Sequence, residues 1–127
     1  MTSSPETLLI FDERILMAQI LDNEAIFIEI IKTFLAELPV FLIDIRQGID
    51  NGDVSQAFRA AHTLSGASAN IGASLLQQTA RELELALANH GISDETAYLL
   101  QAVETAQENL CQFLATRGTS NGTANHI

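Results

Sequence analysis

The sequence predicts an all-α protein, an antiparallel up-and-down four-helix bundle with an additional short N-terminal helix. Three observations predict it. Apolar residues recur at intervals of three and four along nearly the whole chain, and almost nothing alternates as a strand would. Gly and Pro fall mostly at the joints between these periodic segments. With 47 % hydrophobic and 17 % charged residues, the 127-residue chain also carries enough apolar surface for one domain with one core.

Each element has its own local reason. A short first helix runs from about Asp12 to Leu21. Asp22 and Asn23 can cap a second, with Phe27, Ile31, Phe34, Leu38, Phe41 or Leu42, Ile45 and Ile49 on one side. Pro39 sits in its middle, where a missing amide proton and a crowded preceding turn predict a kink. The stretch Asp50-Asn51-Gly52-Asp53 ends it: Gly52 suits a left-handed cap, and Asp53 can accept amide protons from the next helix. That third helix spans Val54 to about Asn70 and meets a fourth, Ala73 to Asn89, across Ile71-Gly72. Residues His90–Ser93 end the fourth, and a fifth runs from about Asp94 to Thr116. The resulting division is a flexible N-terminus over 1–10, a bundle over 11–117 and a loose polar tail over 118–127.

Composition excludes several classes of function. Sixteen acidic residues against six basic ones give a net charge of −10, a field that repels nucleic-acid backbones and anionic membranes. No stretch reaches the ~18 apolar residues of a membrane span, and the first residues lack a basic end, so the expectation is a cytoplasmic protein. The single cysteine, Cys111, rules out an internal disulfide or a multi-cysteine metal site and reads as helix packing. His90 stands at a helix end, His126 in the tail, and no second ligand lies three or four residues from His62, so no metal site is expected. No nucleotide-binding loop and no serine or cysteine triad pattern is present.

The informative stretch is "AFRAAHTLSGASANIGASLL", Ala57 to Leu76. On the third helix Val54, Ala57, Phe58, Ala61, Leu64, Ser68 and Ile71 form the core stripe, and His62 lies about 115° from its centre, at the border with water. Beyond it the side chains thin to Ser65, Gly66, Ala67, Ser68 and Ala69. Gly66 costs about 1 kcal/mol relative to alanine inside a helix, so something should justify it. One explanation is a bare surface that lets another protein approach the imidazole; the other is a close helix crossing beside an ordinary surface histidine. An exposed imidazole is a competent nucleophile.

These residues resemble the histidine-containing phosphotransfer (HPt) domains of multistep phosphorelays. That signature is close to His-x-Leu-Lys-Gly with a Gly-Ala before the next helix; His62, Leu64, Gly66, Gly72 and Ala73 fill its places. The likeness runs from about Phe11 to Leu114 and includes "FLAELPVFLIDIRQGIDNGD", similar to the family's second helix with its Leu-Pro. The resemblance implies a phosphorelay intermediate: His62 accepts a phosphoryl group from a receiver-domain aspartyl phosphate and passes it to another receiver. It implies that Glu84, twenty-two residues on, hydrogen-bonds and orients the imidazole. From helical geometry alone His62 and Glu84 are border residues about one turn out of register.

Ser65 departs from the signature, which has lysine there, and brings no charge to a phosphoryl group. Arg59, one turn before His62, and Arg81, on the adjoining helix, are the candidates to supply it. Ser65 lies about 55° from the core stripe's centre, so a lysine there should be accommodated with little loss of stability. Arg59, Ser65, Gly66, Ala69 and Arg81 form the expected phosphate- and partner-binding set. The expected partners are receiver domains of response regulators or hybrid sensor kinases, met by a monomer with no cofactor of its own; a divalent ion would belong to the receiver. Two other readings remain open at this level: a helical adaptor that binds a receiver or kinase without carrying phosphate, and an oligomerising bundle with no relay role.

Overall fold

The computed structural model describes residues 9–117, which form five helices and, among those residues, no strand: α1 (Glu13–Gln19), α2 (Glu24–Asp50), α3 (Val54–Ile71), α4 (Ser74–His90) and α5 (Asp94–Arg117). Helices α2 to α5 make the bundle in chain order. α3 packs between α2 and α4, α4 lies beside α5, α2 and α5 close the ring along its loosest seam, and α1 lies on α3. The expected tail, with His126, and residues 1–8 of the expected flexible N-terminus lie outside the described residues.

The caps explain the boundaries. The Asp12 side chain accepts from Arg14 N, Asn23 from Ile26 N and Asp53 from Gln56 N, each satisfying an amide that a helix start leaves without a partner. At α5 the reciprocal arrangement appears: the fully buried Thr96 hydroxyl accepts from Ser93 N at 2.8 Å and donates to Ser93 O at 2.7 Å. Gly52 (φ 72°) and Gly72 (φ 86°) take the left-handed conformation as they leave α2 and α3. α2 continues through Pro39, which sits exposed on its outer side.

Two boundaries differ from expectation by more than one residue. α1 stops at Gln19, not Leu21, because the chain turns through Leu21 (φ 55°) and Asp22 (φ 60°), a left-handed pair that no glycine announces. Residues 9 and 10, assigned from sequence to the flexible N-terminus, are held. Leu9 O accepts from Leu75 N at 3.0 Å, Ile10 packs on the core, and Asp12 N donates to Gly72 O at 2.7 Å. This strap fastens the N-terminal segment to the α3–α4 turn. A side chain at Gly72 would collide with the Asp12 carbonyl.

The core is the apolar stripe of every helix: Phe27, Ile31, Leu38 and Ile45 of α2, Ala57, Ala61 and Leu64 of α3, Leu76, Leu83 and Leu87 of α4, and Val103, Leu110 and Leu114 of α5, all essentially without solvent exposure. Alanines dominate α3, which lets α2 and α4 approach it closely from both sides. At Gly48 there is no room for a side chain: a β-carbon there would sit 2.6 Å from Ala57 N.

Candidate functional site

His62 is positioned by α3, the most crowded helix of the bundle, on the edge that the stripe leaves to solvent. Its side chain is 69 % exposed, yet the ring is held on two sides. Nδ1 lies 2.8 Å from Oε2 of Glu84 on α4. Phe58, one turn back and half-buried, lays its ring nearly parallel to the imidazole, 11° between planes with centroids 6.2 Å apart.

Glu84 is buried, with a side chain only 9 % exposed. Its second oxygen, Oε1, is buried and has no hydrogen-bond partner among the described residues. A buried carboxylate is costly unless it is hydrogen-bonded, so the contact with Nδ1 is its principal compensation. A carboxylate only accepts; Nδ1 therefore donates, and the lone pair stays on Nε2. The site thus presents one nucleophilic nitrogen of fixed tautomer, pointed away from its anchor. Helix counting placed the two residues about a turn apart; side chains lean toward the N-terminus of their own helix, so His62 leans away from the α3–α4 turn and Glu84 toward it, which closes that offset.

The other expected residues divide. Gly66 and Ala69 follow His62 along the same exposed edge of α3. A β-carbon at Gly66 would meet nothing within 4 Å, which eliminates the helix-crossing explanation of this glycine and leaves bare, accessible backbone one turn beyond the imidazole. The Arg59 guanidinium donates to the Ser55 hydroxyl, one turn toward the α3 N-terminus. Arg81 is exposed on α4. Ser65 is a correction. Only 6 % exposed, it turns its hydroxyl inward to Gln77 O at 3.4 Å, so it belongs to the α3–α4 packing and not to the accessible surface. The 55° offset suggested a border position; neighbouring α4, invisible to a single-helix projection, covers it. Phe58, a core-stripe residue that its i, i+4 spacing also makes a helical neighbour of His62, meets the imidazole as that spacing predicts.

His90 makes a similar contact, Nδ1 to Glu95 Oε1 at 3.2 Å, but both side chains are more than half exposed and no buried carboxylate fixes the ring. Among the described residues no group of three or more His, Cys, Asp or Glu side chains could hold a metal ion, and no helix is long and apolar enough to cross a membrane.

Comparison with known proteins settles the family. The Hpt domain family model matches residues 29–113, two-thirds of the chain, from the second turn of α2 to near the end of α5. The chain belongs to the Hpt domain family. Its role is histidine phosphotransfer in a phosphorelay, where Hpt domains interact with receiver domains. The crystal structure of the HPT domain from a Shewanella Hpt sensor hybrid histidine kinase has the same fold, with a TM-score of 0.64 at 22 % identity over 84 % of this chain and 95 % of that one. No curated protein matches the chain.

Proposed function

We propose that His62 is the residue that carries phosphate in this Hpt domain, with Glu84 orienting its ring. The carrying observation is the exposed imidazole whose Nδ1 is held by a buried carboxylate while Nε2 is free. In the transfer, the Nε2 lone pair forms a bond to phosphorus as the P–O bond of the receiver's aspartyl phosphate breaks, its electron pair leaving with the aspartate carboxylate. Nδ1 keeps its proton, so the phosphorylated ring is a cation with Glu84 as counter-ion, an ion pair stronger than the contact between neutral ring and carboxylate before transfer. Attack by a second receiver's aspartate reverses the step and restores the neutral ring. In-line alignment does most of the remaining work.

The docking face is the exposed edge of α3 at Gly66 and Ala69, where small side chains let a receiver approach Nε2. The divalent ion belongs to the receiver, and this chain needs no cofactor of its own. A core closed within one bundle supports a monomer, and the net charge of −10 argues against nucleic-acid partners. A cytoplasmic setting accords with an acidic chain carrying a single cysteine.

The test is incubation with phosphorylated receiver domains. Wild-type protein gains acid-labile, base-stable phosphate, and His62→Gln gains none while its helicity and melting temperature stay nearly unchanged, because the ring buries little and the glutamine amide can still donate to Glu84. Continued labelling of His62→Gln would move the assignment to His90.

A further inference from the structure

The chain has six basic residues, all within the described segment, and their placement is uneven. Three are committed to ion pairs elsewhere: Arg14 with Asp12, Arg46 with Glu104, and Arg117 with Glu13 and Glu24. Of the remaining three, Lys32 projects from α2 about 160° from Gly48, which marks the α3 side of that helix, and so points away from the site. The other two, Arg59 and Arg81, flank His62. In a protein of net charge −10, the surface around one exposed imidazole therefore has the available positive charge to itself.

That charge has work to do. A phosphoryl group on Nε2 places anionic oxygens on an already acidic molecule, close to the Glu84 carboxylate, and Ser65 is neutral and faces inward. The two arginines are not equivalent. Arg59 is bonded to Ser55, drawn away from His62. Arg81 has no hydrogen bond or ion pair among the described residues. Its i+3 neighbour Glu84, the nearest carboxylate on its own face, is buried and taken by His62. Two contacts fix its place on α4: Glu84 meets His62, and Gln77 meets Ser65. Arg81 lies between those heights and within about 60° of both residues around the helix axis, on the edge facing α3.

Resting on the assignment of phosphate to His62, we propose that Arg81 is the phosphoryl-binding cation of this domain, supplying from α4 a charge that α3 lacks. The guanidinium, unpaired before transfer, closes on the phosphoryl oxygens as they arrive, and its planar fork can donate to two of them at once.

The isolated protein, charged on histidine with phosphoramidate, tests this without a partner; the P–N bond of the reagent breaks, ammonia leaves, and Nε2 takes the phosphoryl group. In Arg81→Gln the phosphoryl group binds its titrating proton about fivefold more tightly, seen as an upward-moving midpoint by phosphorus NMR, and transfer back to a receiver is favoured by a similar factor. Arg81→Lys recovers most of the effect. Lys32→Gln, with the same change of net charge, shows neither change. A fold defect would not move a phosphoryl titration in the folded protein. An Arg81→Gln midpoint equal to wild type overturns the proposal, as does a loss that follows Arg59→Gln in its place. Wild-type protein that labels elsewhere than His62 defeats the underlying assignment instead, and the two failures are separable by mapping the label first.

Discussion

At His62 an exposed side chain has been given one tautomer and one direction by a single oxygen, Oε2 of the buried Glu84. Glu84→Gln isolates what the negative charge adds, since a glutamine oxygen can still accept from Nδ1 but cannot serve as counter-ion to the phosphorylated ring. The loss is about 1.4 kcal/mol, so phosphohistidine at equilibrium with a phosphorylated receiver falls roughly tenfold while the melting temperature changes little. Quantifying labelled protein at equilibrium checks this; an unchanged ratio would mean that the carboxylate only orients. Ser65→Lys has the opposite balance to the one the sequence suggests. With Ser65 buried under α4, a lysine stem must displace packing against Gln77, and stability drops by about 1–3 kcal/mol in urea unfolding. The position of His62 was readable from one helix, because exposure follows from angle. The burial of Ser65 and Glu84 was not, because it depends on how deeply a second helix sits against the first.

Helices were legible where their signals are local. Asn23, Asp53 and Gly52 announce the ends they make, and of the α2 stripe Phe27, Ile31, Phe34, Leu38 and Ile45 are buried while Phe41, Leu42 and Ile49 are half-buried against the core. The end of α1 was illegible because Leu21 and Asp22 adopt a left-handed turn without the residue that normally permits it. Glycines inside helices were ambiguous for a related reason: Gly48 and Gly66 look alike in sequence and do opposite things. Gly48 is the crossing point of α2 on α3, and Gly48→Ala drives a methyl into Ala57 backbone, separating the helices at a cost of about 1–3 kcal/mol. Gly66 has empty space beside it, so Gly66→Ala stabilises by about 0.5–1 kcal/mol through better helix propensity. The same methyl stands on the proposed docking edge, and the expected outcome is slower transfer from a receiver. Thermal unfolding of the two variants, with opposite signs, checks the assignment, and a stabilised Gly66→Ala of normal transfer rate would remove that glycine from the interface.

Across the whole molecule three of the six cations make ion pairs, Arg59 and Arg81 stand near His62, and Lys32 does neither. The chief fastener is Arg117 at the end of α5. It donates to both oxygens of Glu13 on α1 at 2.6 and 2.8 Å, reaches Glu24 at the start of α2 at 3.3 Å, and lies 4.2 Å from the centre of the Phe27 ring. One guanidinium thus joins the beginning of the bundle to its end, where α2 and α5 otherwise make the loosest seam. Its hydrogen bonds hold the Glu13 carboxyl below its ordinary 4.5, outweighing the opposing effect of burial. A carboxyl lowered by folding contributes stability above its unfolded value and loses it as pH falls through the folded one. Arg117→Met keeps an apolar stem over Phe27 but removes the charge, with a loss of about 1–2 kcal/mol at neutral pH from partly exposed ion pairs and the cation–π contact. Because the ion-pair share disappears when Glu13 is protonated, the gap between wild type and variant must narrow progressively below pH 4.5. Urea midpoints at neutral and acidic pH measure that gap. A difference independent of pH would assign the fastening to packing on Phe27 alone, and phosphoryl transfer in the variant remains normal because Arg117 lies with the chain's α1–α2 end, away from His62.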